Sequence, residues 1–151
     1  IYFMKNDDVP YVSEHRGSYA QKNELPNFLS GNFDIILFPI SITRFEAQKA
    51  KKLLEKEGYK IGIANIVWLK PFKFSNEWKN ALKKSKFGGI VLDDDYTSGV
   101  ASAIAYKIMK ATGKNIETMG LDDKSAGFSK ETDNLPPNFK KIINRVKKIC
   151  K

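Results

Sequence analysis

Gly89-Ile90-Val91-Leu92-Asp93-Asp94-Asp95-Tyr96-Thr97-Ser98-Gly99 reads as a short apolar strand that runs into three carboxylates and a turn opening a helix. A second run, Ile61-Gly62-Ile63-Ala64-Asn65-Ile66-Val67-Trp68-Leu69, closes in a similar way on Lys70-Pro71-Phe72. Pro71 has no N–H to offer a ladder, so a strand spanning 60–69 ends there. Runs with little polar alternation fit strands buried on both faces, as in a parallel sheet. Both marks fall at strand ends, where open α/β sheets do their binding.

Working outward, strands and helices alternate from Phe33 onward. Asp34-Ile35-Ile36-Leu37-Phe38 is a continuous apolar run that predicts a buried strand. Thr43-Arg44-Phe45-Glu46 has the spacing of a capping box. The helix it opens is expected to bury Ala47, Ala50, Leu53 and Leu54 and to stop at Gly58. Ser75 is the expected cap of a second helix that turns Trp78, Ala81 and Leu82 to the sheet. Thr97 or Ser98 is the expected cap of a third, carrying Val100, Ala101, Ile104, Ala105 and Ile108 and stopped by Gly113. A fourth strand is expected over 115–121. After a loop containing Gly127 and the pair Pro136-Pro137, a last helix lines up Phe139, Ile142, Ile143, Val146 and Ile149. Strands joined through helices imply crossover connections. The expected class is therefore α/β, a three-layer α/β/α sandwich on a mainly parallel sheet.

Residues 1–33 read differently. Ile1-Tyr2-Phe3-Met4 looks like the end of a strand, and the polar stretch after it is broken by Pro10, Gly17, Pro26 and Gly31. So long an irregular connection suits an interdomain linker better than the inside of a domain. The chain is accordingly expected to be the last part of a longer polypeptide. The boundary drawn is 1–32 for the end of a preceding domain plus linker, and 33–151 for the α/β domain.

The formal net charge is +9, from 26 basic and 17 acidic residues. The excess is spread over several helix faces as lysine, and Arg, the preferred reader of bases and phosphates, is scarce. No aromatic-basic cluster concentrates it, which argues against nucleic acid as a partner. No apolar stretch approaches a membrane span. The single Cys150 cannot form an internal disulfide, and no signal-peptide pattern opens the chain. The expected location is the cytoplasm.

Several features, in order and at the right spacing over 31–149, resemble the C-terminal domain of transketolase-like thiamine-diphosphate enzymes. They are Gly31-Asn32-Phe33-Asp34 before the first strand, the Ala-rich helix ending in Glu57-Gly58, and the Leu69-Lys70-Pro71-Phe72 turn. The acidic run Asp93-Asp94-Asp95-Tyr96 and Gly99 complete the set. Gln21-Lys22-Asn23-Glu24-Leu25-Pro26 is similar to the close of the family's linker. Two places depart from the family. Phe38-Pro39-Ile40-Ser41 stands where a small-residue turn is usual, and Ser98 replaces one glycine of a pair. Both departures weaken a phosphate site at the first strand end.

The resemblance implies a C-terminal domain of a transketolase or a 2-oxo acid dehydrogenase-type enzyme. Its work would be structural and dimer-forming, with a regulatory role open. Thiamine diphosphate and a divalent metal would be held by upstream domains of a homodimer or a heteromeric partner, and this segment alone would bind neither. No catalytic, cofactor-binding or metal-binding residue is therefore assigned within it. The substrate-binding candidates are His15, the only histidine, and Arg16, nearest to the place where transketolases carry a phosphate-binding Arg. Asp93, Asp94 and Asp95 are oxygen donors of the kind hard cations take, but no further ligand stands near them in sequence. A charge-pairing or helix-dipole role is the better expectation. The competing reading is a stand-alone α/β module that binds an anionic ligand or RNA.

Overall fold

A computed structural model describes residues 9–125 and 133–151. The strand expected over residues 1–4 and the loop residue Gly127 lie outside the described residues. The framework runs β1 (Ile35–Pro39), α1 (Thr43–Lys56), β2 (Ile61–Ile63), α2 (Asn76–Lys84), β3 (Gly89–Tyr96), α3 (Val100–Thr112), β4 (Ile116–Leu121) and α4 (Phe139–Ile149). The strands form a parallel sheet in the order β2-β1-β3-β4.

The apolar runs become strands because both sides of the sheet are covered. Ile36 and Phe38 point into one core with Ala81 and Leu82 of α2 and Ala101, Ile104, Ala105 and Ile108 of α3. Ile35 and Leu37 point into the other, with Ala47, Ala50 and Leu54 of α1 and Ile142 and Val146 of α4. The period of two along β1 thus feeds two cores, which makes the three layers α/β/α. Burying a large aliphatic side chain contributes about 1.5–3 kcal/mol, so these two cores dominate the stability of the fold.

Phe72, Phe74 and Trp78 pack against the first core, with Phe38 and Trp78 ring centroids 6.1 Å apart and Phe74 and Trp78 6.5 Å apart. The aromatic cluster beyond Pro71 is therefore core wall. Gly88 sits at φ 84°, and a Cβ there would lie 2.0 Å from the Asn115 carbonyl oxygen. Only glycine lets β3 enter the sheet so close to β4.

Ser75 caps α2 by accepting from the Trp78 N–H at 3.2 Å. Gly113 ends α3 in the left-handed region, and Gly58 follows α1 with φ 92°. Other expectations give way to tertiary contacts. The Thr43–Glu46 box does not form. Thr43 is buried, its hydroxyl 2.6 Å from the Ile40 carbonyl and 3.1 Å from that of Leu92, while Glu46 reaches the N–H of Phe139 on α4. Leu53 is 38% exposed and Val100 is 44% exposed, so neither is core.

The strand expected over 60–69 is confined to Ile61–Ile63, with Ile66 joining Ile40 in an isolated bridge. Between them the Asn65 N–H turns aside to another partner. β3, by contrast, runs on through the aspartates to Tyr96, because β4 pairs with it as far as Leu121 across a bulge. Neither Thr97 nor Ser98 caps α3. Its N-cap is Gly99, and the Thr97 hydroxyl donates to the Leu121 carbonyl at 3.0 Å. No acidic residue lies in the first turn of α3, so the expected dipole pairing of the aspartates is not made there. Among the described residues no helix is long and apolar enough to cross a membrane.

Candidate functional site

The chain moves outward from β1 to β2 and then crosses back to β3, so the topological switch lies between β1 and β3. Crevices outside the carboxyl ends of strands at such a switch are the usual ligand sites of α/β sheets. Here the crevice is bridged. The Ser41 hydroxyl, just beyond β1, donates to Asp94 Oδ2 on β3 at 2.8 Å. Ser41 takes φ 51°, a left-handed conformation that a glycine would adopt more freely.

Asp93 is 3% exposed. Its carboxyl is raised above its ordinary pKa, first by burial and then by the charges of Asp94 and Asp95. The N–H of Asp95 partly offsets this by donating to Asp93 Oδ1 at 3.3 Å. The acidic run therefore faces two ways, one carboxylate inward and one across the switch. Among the described residues no group of three or more His, Cys, Asp or Glu side chains is gathered to hold a metal ion.

Beside the switch, the linker is strapped to the sheet by one side chain. Asn65, 6% exposed, donates through Nδ2 to the carbonyls of Leu25 at 3.2 Å and Pro26 at 2.8 Å. Its backbone N–H donates to Asn27 Oδ1 at 2.7 Å. Phe28 then exchanges two backbone hydrogen bonds with Ile63, at 2.8 and 3.0 Å. The Asn65 Oδ1 accepts from Arg44 Nε at 3.4 Å, and Arg44 Nη2 pairs with Glu24. Burial draws the Arg44 guanidinium below its ordinary pKa.

The strap leaves a cleft of about 1340 Å³ between residues 9–25 of the linker, the start of α1 and the 67–71 turn. His15 lines it. Its Nδ1 accepts from the Gly17 N–H at 3.0 Å, so in the neutral ring the proton sits on Nε2. Arg16 follows on a short 3-10 turn, Arg16–Ser18, and is not among the lining residues. The cations on the cleft wall are Arg44 and Lys70, and of the two Arg44 is held by the strap. The residues missed in sequence are thus Arg44 and Asn65. The signal for Asn65 was its position as the one amide in the apolar run Ile61 to Leu69. Nothing local marked Arg44. The carboxylates on its walls are Glu14 and Glu24, and Glu24 is engaged by Arg44.

Six large apolar residues on this side are exposed: Val9, Tyr11, Val12, Tyr19, Val67 and Leu69. All six line the cleft.

The transketolase C-terminal domain profile matches residues 27–134. No match was found among curated proteins. One similar solved structure is described as a split gene transketolase, inactive beta4 tetramer. It is 20% identical with a TM-score of 0.63, covering 82% of this chain and 40% of that one. Another is 2-oxoglutarate:ferredoxin oxidoreductase from Magnetococcus marinus with 2-oxoglutarate, coenzyme A and succinyl-CoA bound. It is 17% identical with a TM-score of 0.61, covering 89% of this chain and 21% of that one. These likenesses concern the fold, and this chain corresponds to less than half the length of either neighbour. The profile, the parallel three-layer sandwich and the strand-end turns coincide over the same residues, and the chain belongs to the transketolase C-terminal domain family.

Proposed function

We propose that this chain is the C-terminal domain of a thiamine-diphosphate-dependent enzyme of transketolase or 2-oxo acid dehydrogenase type. Residues 1–32 are the end of the preceding domain and its linker, and residues 33–151 are the domain proper. Its work is structural: it makes contacts in a homodimer or heteromeric assembly and closes one wall of the approach to an active site built elsewhere. Thiamine diphosphate, its divalent metal and the catalytic groups belong to companion domains, fused or separate. The assembled enzyme works in the cytoplasm and cleaves a carbon-carbon bond next to a carbonyl.

The observation that carries this reading is the family match over residues 27–134. The exposed apolar residues on the linker side support it, because so concentrated a patch on one face marks a docking surface. His15 and Arg16 enter as the substrate-facing pair, His15 on the cleft wall and Arg16 on the exposed turn beside it.

Thermal-shift titration of the chain tests the reading. Magnesium is expected to add nothing to the melting temperature in the presence of thiamine diphosphate, and a short RNA is expected to leave it unchanged. A saturable rise with RNA would instead favour a stand-alone binding module.

A further inference from the structure

We propose that the cleft takes a small oxyanion, a carboxylate or phosphate group, on the open edge of the Arg44 guanidinium, and that Glu24 holds that place until the ligand displaces it. A guanidinium offers five N–H donors in a planar fork suited to oxyanions. Arg44 Nε is directed at Asn65 and Nη2 at Glu24, and among the described residues no acceptor takes Nη1. The cation is held in the body of the domain, its side chain 16% exposed. Glu24 rides on the linker with its side chain 74% exposed. A partner so exposed is a weak restraint, easily exchanged for a second anion.

Three further features favour a ligand there. Burial has displaced part of the guanidinium's water and lowered its pKa, and an oxyanion restores contacts that solvent supplies less fully there. Arg44 stands in the first turn of α1, where the helix dipole adds positive potential. Tyr11 and Tyr19 on the cleft walls offer apolar faces for the body of a small molecule. This site needs neither a companion domain nor thiamine diphosphate, so it stands apart from the domain-level reading.

The test is calorimetric titration of the full chain with orthophosphate and, separately, with succinate, at constant ionic strength. The Arg44 Nε–H resonance is followed by NMR in parallel. One saturable site that moves this resonance is expected, and the anion saturating at lower concentration shows whether phosphate or carboxylate is preferred. Glu24→Gln removes the internal competitor and is expected to tighten binding about tenfold. Arg44→Lys keeps the charge, loses the fork and is expected to weaken it by about the same factor. Binding unchanged in Arg44→Lys would assign the anion to the lysine surface and overturn the proposal. Failure of both anions to saturate the Glu24→Gln chain would overturn it too. Should Arg44→Lys fail to fold by circular dichroism, the Glu24→Gln affinity and the resonance shift decide. Neither outcome bears on whether the chain docks a thiamine-holding companion.

Discussion

Glu46, on the first turn of α1, accepts a hydrogen bond from the backbone N–H of Phe139 at 2.8 Å, from an element 93 residues further on. It therefore caps a neighbouring helix. Phe139 opens α4, and a carboxylate at a helix amino end satisfies an orphan N–H and meets the positive end of the dipole. Asn138 adds a local cap by accepting from the Lys141 N–H at 3.0 Å. One acidic side chain thus joins the two helices that cover the same face of the sheet.

Replacing Glu46 with Gln is expected to cost about 1 kcal/mol at neutral pH. Burial pushes the Glu46 carboxyl up, but the hydrogen bonds from Lys49 and Phe139 outweigh it and hold the pKa below its ordinary 4.5. The carboxylate's contribution is therefore full above that value and is lost as pH falls through the depressed folded one. Urea unfolding of both chains from pH 7 to pH 3 checks this. The gap between them should close only at the acid end, and a gap independent of pH would contradict the assignment.

Asn65→Ala removes the amide that holds Leu25, Pro26 and Arg44. The loss removes two hydrogen bonds to the linker carbonyls and the acceptor of Arg44 Nε, so a destabilisation of about 2 kcal/mol is expected. The linker should also become the preferred site of limited proteolysis. Cleavage within 9–25 at the wild-type rate would show that the strap is held by something else.

Asp93→Asn is expected to stabilise the protein at pH 7. Burial, then Asp94 and Asp95, raise the Asp93 carboxyl, so the folded state holds its proton more tightly than the unfolded chain. The ionised group is then a burden at neutral pH. That burden is relieved as pH falls through the folded pKa toward the ordinary 3.8. Melting curves at pH 7 and pH 3.5 should show the variant ahead at the first and its lead reduced at the second.

Gly120→Ala would place a Cβ 2.4 Å from the Asp95 carbonyl oxygen and 3.0 Å from the Thr97 nitrogen. Backbone atoms on both sides cannot yield without opening the β3–β4 ladder at its bulge. A loss of roughly 2 kcal/mol or more is expected in chemical unfolding. A neutral result would mean that β4 does not pair with β3 so far along.

The layered fold was legible because its signals are local. Ile35 to Phe38 and Ile90 to Leu92 are apolar without alternation, and the spacing of Ala47, Ala50 and Leu54 shows a helix on its own. Ser75 and Gly113 acted where they stood, since a cap needs only its own turn. Most of the misreadings involve partners distant in sequence, Leu53 and Val100 being the exceptions. Glu46 sits correctly for a capping box but finds Phe139. Three aspartates disfavour a strand by propensity, yet pairing with β4 carries β3 through them. Nothing in its own segment marks Arg44. Its place under the strap depends on Asn65 and Glu24, brought together only by the fold.

The central claim is that this domain works with companions that hold thiamine diphosphate. It is tested most directly by mixing the chain with the pyrimidine- and diphosphate-binding domains that the proposal assigns to its companions. Light scattering and thiamine-diphosphate-dependent turnover would be measured on each component and on the mixture. The account predicts a stable complex through the linker face, with cofactor-dependent carbon-carbon transfer in the mixture and none from this chain by itself. Saturable, magnesium-dependent binding of thiamine diphosphate by this chain alone that persists in Arg44→Lys, or no complex at all, would contradict it.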